Sequence, residues 1–94
     1  MMDQDVFRSR LQKNYSTFMR SLRAVDVATE LHVTGFMSFP FLMEIMELKN
    51  PREQAGYLLD YLFCRIPNRG LIDGFVTALM QVEEQSVLAQ LITS

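Results

Sequence analysis

The sequence predicts an all-α protein, a six-helix antiparallel bundle, and two observations predict it. Apolar residues recur three or four apart through six successive stretches, the period of helices that each bury one face. Between the stretches stand residues that start or stop helices, among them Gly35, Asn50-Pro51 and Pro67-Asn68-Arg69-Gly70. Leu31-His32-Val33 alternates like a strand but is too short and isolated to pair. Short turns between helices leave neighbours antiparallel.

Residues 1–5 form a short lead into the first helix, Val6 to Leu22. Its buried face holds Phe7, Leu11, Tyr15, Phe18 and Leu22. Arg10, Lys13 and Arg20 share another face, flanked by Arg8 and Arg23, which reads as a solvated helix side or as a basic docking surface. The second helix runs from Val25 to Val33, with Asp26 placed to cap its start and Gly35 to end it in a left-handed conformation. His32, the only histidine, has no cysteine or second histidine at metal-ligand spacing and reads as structural.

Ser38 is placed to cap the third helix, Phe39 to Leu48, with Pro40 in its first turn. Phe41, Leu42, Ile45, Met46 and Leu48 supply its apolar surface, and Glu44 and Glu47 point elsewhere. Met37, Met43 and Met46 suit core filling better than an adaptable groove. The fourth helix has the clearest start. Asn50 is a capping residue, Pro51 stands at the first helical position, and Glu53 is placed for a capping box. Ala55, Leu58, Leu59, Leu62 and Ile66 follow on one face, before the turn at Pro67-Asn68-Arg69-Gly70.

The fifth helix, Leu71 to Val82, places Ile72, Phe75, Val76 and Leu79 together. Its Gly74 costs helicity, roughly 1 kcal/mol against alanine, but allows a neighbour to come close. Glu83-Glu84-Gln85 is read as the opening of a short sixth helix in which Val87, Leu88, Leu91 and Ile92 face inward.

Ninety-four residues suit one domain, spanning 1–94, and 49% apolar with 21% charged residues suits a folded globule. A net charge of −2 supplies no global basic field for nucleic acid. The longest apolar run, Phe39 to Met43, is far short of the roughly 20 residues of a membrane span, so no membrane insertion is expected. Neither is a signal peptide, because Asp3 and Asp5 follow the first methionines. One cysteine, Cys64, fits a cytoplasmic location.

Catalysis is not expected. No phosphate loop, Cys-x-x-Cys pair or calcium loop is present, and no cofactor or metal is implied. Cys64 stands near a helix end, where no helix N-terminus activates it. The remaining role is binding.

Residues 52–92 resemble the caspase recruitment domain (CARD) family of the death-fold superfamily. The resemblance is carried by Arg52-Glu53-Gln54-Ala55-Gly56-Tyr57-Leu58-Leu59-Asp60-Tyr61-Leu62, by Arg69-Gly70, by Phe75-Val76-Thr77-Ala78-Leu79, and by Val87-Leu88-Ala89-Gln90-Leu91-Ile92. Thr34-Gly35-Phe36-Met37-Ser38 resembles the turn between the second and third helices of such domains. The chain departs from the pattern at Phe63 to Asn68, a longer connection than usual, and at Gln81 to Gln85, where a glycine turn is usual.

The resemblance implies a bundle of the death-fold type. It implies homotypic association with another CARD protein (adaptor, sensor or caspase), or with itself as a homo-oligomer or filament, in apoptotic, inflammatory or antiviral signalling. It also implies that a basic surface on the first and fourth helices docks an acidic surface on the second and third. The basic positions here are Arg8, Arg10, Lys13, Arg20, Arg23, Arg52 and Arg65, and the acidic ones are Asp26, Glu30, Glu44 and Glu47. Two unlike patches on one chain make a head-to-tail contact that repeats into rings or filaments. Tyr57 and Tyr61 stand four apart on the fourth helix, as aromatic contacts to a partner or as packing against a neighbouring helix.

Two other readings stay open. A small helical nucleic-acid-binding domain draws on the basic first helix and on Lys49-Asn50-Pro51-Arg52, against the acidic total. A bundle carrying an apolar ligand draws on the aromatic and methionine content.

Overall fold

The computed structural model describes residues 4–65 and 69–93, with the backbone alone at Arg69. Among them lie seven helices and no strand: α1 (Gln4–Lys13), α2 (Tyr15–Ser21), α3 (Ala24–Val33), α4 (Phe39–Glu47), α5 (Pro51–Arg65), α6 (Arg69–Gln81) and α7 (Ser86–Thr93). The expected burial of Ile66 and the turn at Pro67-Asn68 lie outside the described residues.

The expected single first helix is two, broken at Asn14. Its backbone sits at φ −104°, ψ 17°, away from the helical well. The cause is local competition: Asn14 Nδ2 donates to the Arg10 carbonyl at 2.9 Å, and the Asn14 backbone N–H donates to that same carbonyl at 3.1 Å. Phe18 N–H still donates to the Asn14 carbonyl (3.0 Å), so the chain bends without leaving the layer.

The helix starts differ from expectation in two places. Asp26 is not the cap of α3, since Arg23 holds that position and Asp26 lies exposed in the first turn, favourable to the helix dipole. Ser38 does stand at the N-cap of α4 with extended backbone, but its hydroxyl makes no cap bond. Asn50 behaves as expected: its Oδ1 accepts from Arg52 N–H (2.8 Å) and its carbonyl from Gln54 N–H (3.0 Å).

Gly35 ends α3 at φ +89°, as its position predicts. Phe36 N–H donates to the Leu31 carbonyl (2.8 Å) and Gly35 N–H to the His32 carbonyl (3.1 Å), the paired bonds of a Schellman turn. This turn swings Phe36 onto α6, where Gly74 leaves room: a Cβ there would stand 2.5 Å from the Phe36 ring. His32, half-buried, donates from Nδ1 to the Met37 carbonyl at 2.8 Å.

Glu83, Glu84 and Gln85 do not open α7. They form the turn before it, with Glu84 at φ 69°, where the chain lacks a glycine. α7 is therefore shorter than expected, and Val87 faces outward, 61% exposed.

The core gathers around α3, which packs on α4, α5 and α6 and fully buries Val27, Ala28 and Leu31. The Phe75 ring sits between Phe7 (6.2 Å, edge-on) and Phe18 (6.3 Å), tying α1, α2 and α6 together. Met37 fills the core as expected, whereas Met43 and Met46 do not and lie exposed on α4. No helix among the described residues is long and apolar enough to cross a membrane.

Candidate functional site

The structure divides the predicted basic set by what each cation already does. Arg8 donates to the Phe63 carbonyl (3.5 Å) near the end of α5, and Arg10 to the Ile92 carbonyl (3.2 Å) in the last turn of α7. Both satisfy carbonyls that a helix end leaves without partners. Arg65 lies over two rings, 4.0 Å from the Tyr61 centroid and 4.7 Å from that of Phe41. Arg23 pairs with Glu84 at 3.1 Å, an exposed pair that contributes about 0–1 kcal/mol. Lys13, Arg20 and Arg52 are exposed and make no ion pair among the described residues.

A cleft of about 430 Å³ opens where α2 ends and where α3 and α5 begin. Arg20 and Arg23 stand at it with Leu22, Val25, Pro51 and Gln54, and Arg52 follows Pro51 in the chain. The first turns of both helices add their positive ends. Asp26 shares the cleft and offsets part of this charge.

Two glutamines that sequence reasoning missed shape the cleft. Gln85 is only 3% exposed; its Oε1 accepts from Arg23 N–H (2.9 Å) and its Nε2 donates to the Ser21 carbonyl (3.1 Å). Gln54 Nε2 donates to the Leu48 carbonyl at 2.8 Å, closing the end of α4 onto α5. The signal that finds such residues is a helix junction with backbone groups to satisfy, which appears only in three dimensions.

The acidic set also divides. Asp26 and Glu30 line a groove of about 330 Å³ with Thr29, Gln81 and Val82, where Glu83, absent from the predicted set, joins them. On α4, Glu47 is exposed and Glu44 accepts a hydrogen bond from the Tyr57 hydroxyl. Partial burial, then the Glu44 hydrogen bond and charge, push the Tyr57 phenol up to about 12 from its ordinary 10.0.

The two tyrosines part company. Tyr61 is buried, its ring against Phe41 (5.0 Å between centroids) and its hydroxyl donating to the Phe36 carbonyl at 2.8 Å, so it packs inside rather than meeting a partner. Tyr57 is half-buried at the α4–α5 edge. Cys64 is exposed beside it, in a smaller hollow with Asp60 and Arg65. Among the described residues, no three His, Cys, Asp or Glu side chains are grouped to hold a metal ion. What the surface offers is a cleft with Arg20 at the α2–α3 junction and exposed carboxylates on α4, while Arg23 and Asp26 line both this cleft and the groove beside Glu30 and Glu83.

Comparison with family models, with curated proteins and with solved structures finds no match for this chain.

Proposed function

We propose that this chain is a homotypic interaction module of the CARD type, with a death-fold bundle. In this reading it recruits another CARD protein or assembles with itself in cytoplasmic apoptotic, inflammatory or antiviral signalling, and it needs no catalysis or cofactor. One observation carries the reading. Arg20 lines the cleft and Arg52 follows its Pro51 in the chain; both cations are exposed and make no ion pair among the described residues, while α4 exposes Glu44 and Glu47. Unlike patches on one chain favour head-to-tail association. The residue pattern of 52–92 supports the family assignment, and charge complementarity supports partner choice and encounter rate.

Size-exclusion chromatography with light scattering, at low and at high salt, tests it. The expected result is a concentration-dependent oligomer that salt weakens, with filaments or rings in negative-stain micrographs of the large fraction. A strict monomer at both salt concentrations and at high protein concentration overturns self-assembly. Failure also to bind any isolated CARD then overturns the module reading.

A further inference from the structure

Arg65 is a cation held by rings and not by an acid. Its guanidinium carbon lies 4.0 Å from the Tyr61 centroid and 4.7 Å from that of Phe41. The two rings meet at 68° with 5.0 Å between centroids, so they form a corner with the guanidinium against both walls. The corner is fixed from behind, because Tyr61 is buried and its hydroxyl donates to the Phe36 carbonyl at 2.8 Å. Arg65 makes no ion pair among the described residues, although the exposed Asp60 lines the same hollow.

The hollow, about 250 Å³, adds Tyr57 and Cys64 to these walls, and the Tyr57 hydroxyl is bonded to Glu44. Aromatic faces carry negative potential, and the Asp60 and Glu44 carboxylates add to it, so the site favours a cation. Its size suits one side chain better than a larger ligand. We propose that this hollow receives an arginine side chain of a partner protein, and that Arg65 is an internal occupant which the partner's arginine displaces. The class of ligand is read from the occupant: a flat, weakly hydrated guanidinium already fits the corner. Arg65 can leave because no carboxylate pairs with it among the described residues and its side chain is only half-buried. The site stands apart from the self-association reading, since Arg20, Arg52 and Glu47 do not line it.

Titration with a blocked peptide, acetyl-Gly-Arg-Gly-amide, tests this, with nuclear magnetic resonance of the Phe41 and Tyr61 ring protons as the readout. In the wild type the peptide competes with Arg65. Arg65→Ala removes the competitor, so the Kd should fall at least about tenfold, the factor expected if Arg65 fills the corner about nine-tenths of the time. Arg65→Gln, which keeps a side chain beside the rings without the charge, should also bind more tightly than wild type. Circular dichroism confirms that each variant is helical.

Adding Phe41→Leu to Arg65→Ala keeps an apolar side chain but removes one aromatic wall, and should reverse the gain. A lysine peptide should bind more weakly than the arginine peptide, because its compact ammonium is strongly hydrated. The proposal is overturned if neither Arg65 variant binds the arginine peptide more tightly than wild type, or if Phe41→Leu leaves the gain intact. It is overturned equally if a glutamate peptide binds the wild type and loses that binding in Arg65→Ala, since Arg65 would then be the receptor of an anion.

Discussion

Gln85 holds Arg23 by its backbone: the glutamine Oε1 accepts the Arg23 N–H at 2.9 Å, while its Nε2 reaches the Ser21 carbonyl at 3.1 Å. One side chain from the turn before α7 thereby clamps both sides of the α2–α3 junction, and Ser21, Leu22 and Arg23 form part of the basic cleft. Gln85→Ala would leave a donor and an acceptor without these bonds at a buried junction. Loss of the pair is expected to cost about 1–3 kcal/mol, read as a lower midpoint in urea unfolding. Gln85→Glu keeps the acceptor and loses the donor, so it should not restore full stability. An unchanged midpoint for Gln85→Ala would show that the junction is not held this way.

Gly74 and Gly56 make a matched pair of predictions. Alanine is the better helix former by roughly 1 kcal/mol, so both substitutions gain on propensity alone. At Gly74 the new Cβ would meet the Phe36 ring at 2.5 Å. Phe36 cannot easily yield, because its N–H is bonded in the turn after α3 and its carbonyl accepts from Tyr61. Overpacking of this kind costs about 1–3 kcal/mol, so Gly74→Ala should destabilise on balance. At Gly56 the new Cβ would lie 3.5 Å from Met19 Cε, an ordinary contact, and Gly56→Ala should stabilise. Urea midpoints that move in the same direction for both variants would contradict this packing.

The sequence made the core legible because burial follows helical period. Phe7, Leu11, Phe18, Leu58, Leu59, Phe75 and Leu79 are buried where the spacing placed them. Asn50 and Gly35 were legible because capping chemistry is local. The break at Asn14 was not, since an asparagine that competes for a carbonyl looks like any exposed polar residue. Met43 and Met46 were misplaced because α4 is apolar around most of its circumference, so period alone does not say which side faces the core. For the site, the charges could be read but their engagements could not. Arg8 and Arg10 bond to carbonyls 55 and 82 residues away, and only folding reveals them as occupied.

Tyr57 offers a test at alkaline pH. Its phenol is pushed up to about 12 from 10.0, by partial burial first and then by Glu44. A raised phenol favours the folded state while the hydroxyl is protonated. That contribution is complete below pH 10, declines as pH rises from 10, and is gone above about 12. The ultraviolet difference titration between wild type and Tyr57→Phe should isolate a transition near 12. The stability difference between the two proteins should shrink over the same interval. A midpoint near 10 would mean that neither the partial burial of the phenol nor its bond to Glu44 persists in solution.

Charge reversal separates docking from folding. Neutralising one exposed cation removes an interaction worth about 0–1 kcal/mol, so Arg52→Ala should weaken assembly only a few-fold. Arg52→Glu instead sets like charges against each other across the contact, which costs several kcal/mol, and should abolish assembly. Arg20→Glu should act in the same way. From the acidic side Glu47→Arg is the cleaner partner, because Glu44→Arg also removes the acceptor of the Tyr57 hydroxyl. Arg52 and Glu47 are exposed and make no ion pair within the described chain, so thermal midpoints of their variants should stay close to wild type. The double variant Arg52→Glu with Glu47→Arg should recover part of the assembly that either reversal loses, because the unlike charges are restored in swapped order. If each single reversal assembled as wild type while fully folded, the charged patches would have no part in association. If the single reversals failed and the double variant stayed monomeric, both charges would matter without facing each other.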